Sequence, residues 1–475
     1  MRHWRLAALM AVGLVLRLVL MPLPDPFDAD LTTFWLPWMN FAGQHGLAQL
    51  YLHGEPLVNY PPFYLALLSN LGKLYGLLVP GFDYTPLQSV LIKLPAVIAD
   101  LALGAMLYFA ALRITSDKTA NPPGPSADEP GSRLGTKPAG SSAALLAAGL
   151  WLLNPAAFYV SAYWAQVDAI HTMWMMAALL AALGRRWGWS GLLVGLALLT
   201  KLQAAIILPL LLFLAWWQSW RAVGRWTAAL AGMLLAGLLT PAITGALRPV
   251  LFAYTGSVGF YPALSLNAYN PWFVLQFIST EVMGSTLRDT ARVMGPITLR
   301  WVGLAVLAGY TLVVLWTLLR RWQPRSVDRL RWPSASQRLD AFFAAGMLVF
   351  GFFMLATEMH ERYVLPALAF LALPVALYPR RYLLPYLLLV GAILLNLLRV
   401  LPFAPIAFYA FERIPGDRVL IALANTALFV WWTLLYLRAA DVSRRLPKSP
   451  AGSSNQMESV VTTPVARPGD FGSVD

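Results

Sequence analysis

From Leu6 to Leu437 the chain is a succession of apolar runs, most of them close to the length of a membrane crossing, divided by short clusters of arginine and lysine. Backbone that enters hydrocarbon has no water to bond, so it must be helical or part of a closed barrel, and runs of roughly 20 residues are the length of a spanning helix. The runs fall at 5–23, 88–112, 142–160, 167–184, 188–202, 204–220, 226–245, 298–319, 340–358, 362–378, 382–400 and 418–437, which makes about twelve spans. The expected fold class is an all-α polytopic membrane protein. Composition agrees, with 12% charged residues against roughly 25% in a soluble domain.

In a soluble chain a formal net charge of +13 would point to nucleic acid, but here the basic residues sit between apolar runs and report topology. No nucleic-acid partner is expected. The clusters are Arg2/Arg5, Arg113/Lys118, Arg185/Arg186, Arg221/Arg225, the series from Arg320 to Arg331, Arg380/Arg381, and Arg438 to Lys448. All of them fall on one side, the cytoplasmic one, if the runs above all cross. Counting the apolar stretch 62–79 as a further span would break that agreement. It is therefore expected to be an interfacial or re-entrant helix inside a long outer loop, 24–87. The runs 188–202 and 204–220 are divided only by Lys201-Leu-Gln203 and read as two spans or one interrupted helix. The segment 114–140, rich in Pro, Gly, Ser and Asp, is expected to be a flexible cytoplasmic loop, and 441–475 a disordered cytoplasmic tail beyond a transmembrane domain at 1–440. Met1 to Arg5 and the apolar run after it resemble a signal peptide, but no small-residue cleavage site follows, so the run reads as a retained first helix. The chain has no cysteine, which excludes disulfides and thiol chemistry. Its five histidines form no His-Glu-x-x-His pattern, so no metal site or other cofactor is expected.

With this orientation the outer side collects a different set of residues. They are Asp25, Asp28 and Asp30 after the first span, Trp164-Ala-Gln166-Val-Asp168, Lys201 and Gln203, Asn267-Ala-Tyr-Asn-Pro-Trp272, and His360-Glu361-Arg362, with Tyr60 in Asn59-Tyr-Pro-Pro at the start of the interfacial helix. Ionisable groups beside hydrocarbon cost roughly 2.5 kcal/mol or more each and are functional candidates by default. An aspartate here suits a general base acting on a hydroxyl, or a turn or helix cap. Lys201 has no acidic neighbour in sequence, and either snorkels to the interface or binds an anion such as phosphate. Arg362 suits bidentate phosphate binding, and His360 proton or hydrogen-bond donation. Glu361 suits an ion pair with Arg362 or Lys201.

These segments together resemble the GT-C glycosyltransferases. The pieces are Phe27-Asp-Ala-Asp with Trp35 and Trp38, Asn59-Tyr-Pro-Pro, Lys93-Leu-Pro-Ala-Val-Ile-Ala-Asp100, Asn154-Pro with Trp164-Ala-Gln-Val-Asp168, Leu199-Thr-Lys-Leu-Gln203 and Met359-His-Glu-Arg-Tyr363. The nearest likeness is to bacterial proteins similar to the second mannosyltransferase of GPI-anchor synthesis, and a more distant one to the glucosyltransferases that extend lipid-linked oligosaccharides. The resemblance implies transfer of a hexose, mannose or glucose, from a polyprenyl-phosphate sugar to a glycan, glycolipid or protein hydroxyl at the outer face of a bacterial plasma membrane, inverting and metal-independent. It implies a base at Asp30 or Asp28: the following Leu31 favours Asp30, and the spacing to the next tryptophan favours Asp28. It also implies lipid-phosphate contacts from Lys201, His360 and Arg362, and sugar or acceptor contacts from Tyr60, Trp164, Gln166, Asp168, Gln203 and Glu361. The sequence departs from the subgroup at Ala165, where glycine is usual. The rival reading is a transporter or flippase, which would also have many spans; against it, the chain shows no internal repeat and its polar segments gather at one face.

Overall fold

The structure is a computed structural model, and it describes residues 3–23, 30–54, 57–116, 140–256, 259–322, 333–402 and 416–444. Asp25, Asp28, most of the loop expected at 114–140, and the tail from 445 onward lie outside the described residues.

A helix stands at each expected span. These are α1 (Trp4–Leu20), α5 (Pro86–Ser116), α6 (Gly140–Leu152) followed by the short α7 (Pro155–Phe158), α8 (Asp168–Leu183), α9 (Trp187–Thr200), α10 (Leu208–Gln218), α11 (Trp220–Ile243), α14 (Leu299–Arg321), α15 (Ala335–Leu355), α16 (Leu365–Leu377), α17 (Pro379–Val400) and α18 (Asp417–Arg444). Six of them are long and apolar enough to cross a membrane, and α6 with the segment Pro155–Tyr163 makes a seventh if that bent pair is one span; α8, α9, Leu202–Gln218 and α16 are shorter apolar helices. The remaining helices, α2 (Leu36–His45), α3 (Leu47–His53), α4 (Pro62–Leu78), α12 (Leu247–Thr255) and α13 (Pro271–Phe277), lie in the connections.

Breaks in the helices have local causes. Asn154 caps α7 by accepting a hydrogen bond from the Ala156 N–H at 3.0 Å, and Pro155 occupies the first helical position; the chain turns there by 41°. At Lys201 the backbone is extended, with φ −160° and ψ 131°, and α9 is followed by a 3₁₀ turn from Leu202 to Ile207 before α10. The ambiguous pair of runs is thus two helices, and the break throws Lys201 toward the interior.

Helices in lipid gain little from apolar contact with one another, since lipid tails are as apolar as leucine, so close packing through small residues decides which faces meet. Ala143, Ala144, Ala147 and Ala148 of α6 are all buried, and every residue of α16 is buried, which makes α16 the axis of the bundle. On α9, a Cβ at Gly191 would lie 2.3 Å from the Trp226 carbonyl of α11, and only glycine lets these helices touch. Helices α2 and α4 approach the same way at Gly43 and Gly72, and with Leu31, Trp35, Trp38, Tyr64 and Leu68 they form a separate small core.

Buried charge ties α1 to α5. The fully buried Arg17 donates from Nε to Asp100 at 2.8 Å, and from Nη1 to the carbonyls of Gly13 and Leu152. Ser161 donates to the same Asp100 oxygen at 2.5 Å, and Lys93 donates to the Met21 carbonyl at 3.0 Å, just past the end of α1. Lys93 and Asp100 of the sequence motif are therefore fastened to α1.

Little extended structure is present among the described residues. Strand β1 (Ser265–Leu266) pairs in parallel with β4 (Met359–His360), in the register Ser265 to Met359 and Leu266 to His360. Between them in sequence lies a hairpin of β2 (Arg292–Met294) and β3 (Ile297–Thr298). The segment 267–272 is bolted to the bundle: Asn396 accepts from the Tyr269 N–H and donates to the Asn267 carbonyl, Asn270 donates to the Phe353 carbonyl and Trp272 to the Leu355 carbonyl. This scaffold fixes where the β1–β4 ribbon, and hence His360, stands.

Candidate active site

At the end of the bundle where α8, α9 and α16 meet the α2–α4 layer, a cavity of about 550 Å³ opens. Its walls include Asp30, Trp35, Tyr60, Lys201, Gln203, His360 and Arg362, from four stretches of chain that the sequence keeps apart.

Asp30 opens a π-helical turn, Asp30–Trp35, that runs into α2. Its Oδ2 accepts from Gln166 Nε2 at 2.7 Å and from Trp164 Nε1 at 3.2 Å, and Arg362 Nη2 lies 3.9 Å away. The side chain keeps 29% of its surface exposed toward the cavity, so its other oxygen meets what enters. The donors come from a turn at residues 164–167 held between a π-helical turn, Tyr159–Tyr163, and α8. Ala165 adopts φ +57° there, a left-handed conformation that costs a residue with a Cβ roughly 1 kcal/mol or more. The subgroup's usual glycine suits this geometry.

Asp168 begins α8, where the helix dipole favours a negative charge. Lys201 Nζ donates to both of its oxygens, at 2.9 and 3.0 Å, and lies 4.7 Å over the Tyr363 ring. The lysine without an acidic neighbour in sequence thus has one in space. Arg362 Nε stands 3.8 Å from Asp168, while Nη1 donates to Glu361 at 2.6 Å and the guanidinium carbon lies 5.5 Å over the Trp164 ring. His360 Nδ1 is 3.8 Å from the other Glu361 oxygen. Burial pushes the Glu361 carboxyl up, but Arg362 and His360 outweigh it and hold it at about 2. Glu361 is buried, and orients Arg362 from behind.

Asp30, Trp164, Gln166, Asp168, Lys201, His360, Glu361 and Arg362 therefore form one connected network, with three carboxylates against the two cations Lys201 and Arg362. Tyr60 and Gln203 line the same cavity. Tyr60 meets Trp35 edge to face at 4.9 Å, and the indole N–H of Trp35 and Gln203 Oε1 are buried without a hydrogen-bond partner among the described residues. No group of three or more His, Asp or Glu side chains suited to a metal ion occurs among the described residues.

The cavity wall carries a second polar group whose connections the sequence did not reveal. Arg300, at the start of α14, binds Asp289 through Nε at 2.7 Å and Nη2 at 3.1 Å, and Glu358 through Nη2 at 2.7 Å. Arg300 and Glu358 line the cavity with Phe260 and Tyr261. Arg300 falls inside the expected span 298–319; Glu358 opens the polar run 358–363 visible in the sequence but also closes the expected span 340–358, whereas α15 ends at Leu355. Pairing of Arg300 with carboxylates distant in sequence left no local signal.

Residues 58–336 match the sequence profile of glycosyltransferase family 87. No curated protein matches the chain. Among solved structures, ArnT from Cupriavidus metallidurans bound to undecaprenyl phosphate aligns over 93% of this chain and 78% of its own, at 15% identity and a TM-score of 0.45. The Archaeoglobus fulgidus oligosaccharyltransferase tethered to an acceptor peptide aligns over 92% of this chain and 55% of its own, at 12% identity and a TM-score of 0.37.

Proposed function

The chain belongs to glycosyltransferase family 87, and from that membership we propose that it moves a hexose, mannose or glucose, from a polyprenyl-phosphate sugar to an acceptor hydroxyl at the outer face of a bacterial plasma membrane. The transporter or flippase reading gives way to the family match. The observation that carries the proposal is Asp30: a carboxylate fixed by two side-chain N–H donors, open to the cavity and 3.9 Å from an arginine that faces the same space.

In this reading Asp30 takes the proton of the acceptor hydroxyl, whose oxygen attacks the anomeric carbon as the bond to the lipid phosphate breaks. A single displacement of this kind inverts the anomeric centre. Arg362 and His360 face the departing phosphate, where a charge held in place contributes most. Lys201 adds its field from the wall and stays bound to Asp168, with one ammonium proton left over. Three carboxylates and two cations leave one surplus negative charge at rest. Proton uptake by Asp30 removes that surplus as the leaving phosphate gains a charge, so the cluster's charge moves in step with the reaction. Tyr60 and Gln203 supply sugar contacts, while Trp164, Gln166, Asp168 and Glu361 act from behind. An apolar slot on the same cavity, between Leu202, Ile206, Leu304 and Leu307, suits the lipid chain.

The test is turnover of radiolabelled polyprenyl-phosphate mannose or glucose by the protein in lipid. Asp30→Asn is expected to lower it by roughly 10²- to 10⁴-fold, the worth of a positioned base. Full activity in Asp30→Asn with loss in Asp28→Asn would move the base to Asp28, and full activity in both would remove the mechanism.

A further inference from the structure

Another part of the cavity wall has a composition of its own. Phe260 and Tyr261 stand edge to face at 4.7 Å and are 37% and 46% exposed, and both line the cavity. Beside them Arg300 divides its guanidinium. Nε and Nη2 are spent on the buried Asp289 and on Glu358, while Nη1 has no hydrogen-bond partner among the described residues and lies against Gly259, where an added Cβ would fall 2.8 Å from it. Glu358 accepts from the Gly259 N–H at 2.7 Å through Oε2 and from Arg300 through Oε1. Its backbone is held at φ +60° by the Leu264 carbonyl, which accepts from the Glu358 N–H at 3.2 Å. A left-handed glutamate is strained, and such strain gathers at ligand clamps.

Glu358 sits in the bend just before the two-residue strand Met359–His360. Glu358 and His360 both line the cavity, with β1 holding the register. A volume of about 550 Å³ falls within the roughly 300–1,000 Å³ of sites that bury drug-sized ligands, which leaves room for a second ring beside the donor sugar.

We propose that Tyr261, Arg300 and Glu358 form a subsite for the acceptor, and that the acceptor is a glycoside, its ring lying on the Tyr261 face with one hydroxyl between Arg300 Nη1 and the Glu358 carboxylate. A sugar presents an apolar C–H face and a polar edge of hydroxyls, and an exposed aromatic beside a guanidinium and a carboxylate complements both. Burial, with the hydrogen bond to Asp289, pushes Glu358 up to about 7 against the pull of the Gly259 N–H and Arg300. Near neutral pH its carboxyl is thus equipped to accept from a hydroxyl or donate to one.

The inference rests on the transferase reading for the identity of the cavity, but its test uses no donor. Saturation-transfer NMR on the full chain in nanodiscs, with methyl α-mannoside, methyl β-glucoside and a serine-centred tripeptide as probes, reads ring contact directly. The expected result is saturation of ring protons in at least one glycoside, falling about tenfold in Tyr261→Ala and Glu358→Gln, as loss of a charged hydrogen-bond partner would give. Tyr261→Phe keeps the signal, and so does Trp189→Ala, an exposed aromatic change elsewhere. No glycoside signal in the wild type, equal signals in wild type and Tyr261→Ala, or a signal from the tripeptide alone would overturn the subsite. If the glycoside binds as described while no polyprenyl-phosphate sugar is turned over, the donor reading fails and the subsite stands.

Discussion

Replacing Lys201 by methionine separates a structural cation from one kept for a ligand. The Nζ lies 2.9 Å from Asp168 with side-chain exposures of 4% and 1%, and at an effective dielectric constant near 20 that separation is worth about 6 kcal/mol of gross Coulomb attraction. Desolvation of both groups removes much of this, and measured losses on breaking a buried pair are roughly 3–5 kcal/mol. Asp168 is not left wholly alone, because Arg362 Nε remains 3.8 Å away. The expected cost of Lys201→Met is therefore at the low end, about 3 kcal/mol. Asp168→Asn should cost more, since Lys201 has no other carboxylate within salt-bridge distance among the described residues. The double variant Lys201→Met with Asp168→Asn removes both charges and should cost about 2 kcal/mol less than the sum of the two singles, the coupling read from the double-mutant cycle. Unfolding of the full chain in detergent, followed against denaturant or temperature, measures all three. A single Lys201→Met variant within about 0.5 kcal/mol of wild type would refute the pairing and free Lys201 to bind phosphate on its own.

Two further outcomes follow from strain and protonation. Ala165→Gly should stabilise the chain by about 0.5–1 kcal/mol, the relief of a left-handed alanine less the added freedom of glycine, read as a rise in the thermal midpoint; a fall would mean that the turn is not strained. Glu358 is pushed from its ordinary 4.5 up to about 7, so the folded protein holds that proton more tightly than the unfolded chain. Stability relative to Glu358→Gln should accordingly fall as pH rises from 4.5 to 7 and level off above. A difference that is flat across this window would show the carboxyl to be ordinary.

Spans were legible because hydrocarbon demands long apolar runs whatever they pack against. Ends of spans were not: hydropathy carried the ninth run to residue 358, whereas α15 stops at Leu355 and releases Glu358 to the cavity. Asp30, Arg362 and His360 were legible as polar residues out of place beside apolar neighbours. What Lys201 binds was not, because Asp168 is 33 residues away and only the break after Thr200 brings them together. Arg300 escaped notice for the same reason, since a charge at the edge of a run looks like an anchor until its partners are known. The departure at Ala165 was visible in sequence, and its cost became visible only with the backbone angle.

The tie between Arg17 and Asp100 has a consequence for biogenesis. Each of these charges lies in a helix that must enter the bilayer, and a lone charge there costs up to roughly 3 kcal/mol at insertion. The two lie 83 residues apart along the chain, and a further acceptor for Arg17, the Leu152 carbonyl, is made later still. During synthesis α1 therefore waits as a marginal segment, with its guanidinium drawn toward headgroups or water. Its charge finds its final partners only when α5 and α6 supply Asp100 and the Leu152 carbonyl, so the lasting position of the first helix depends on segments made after it.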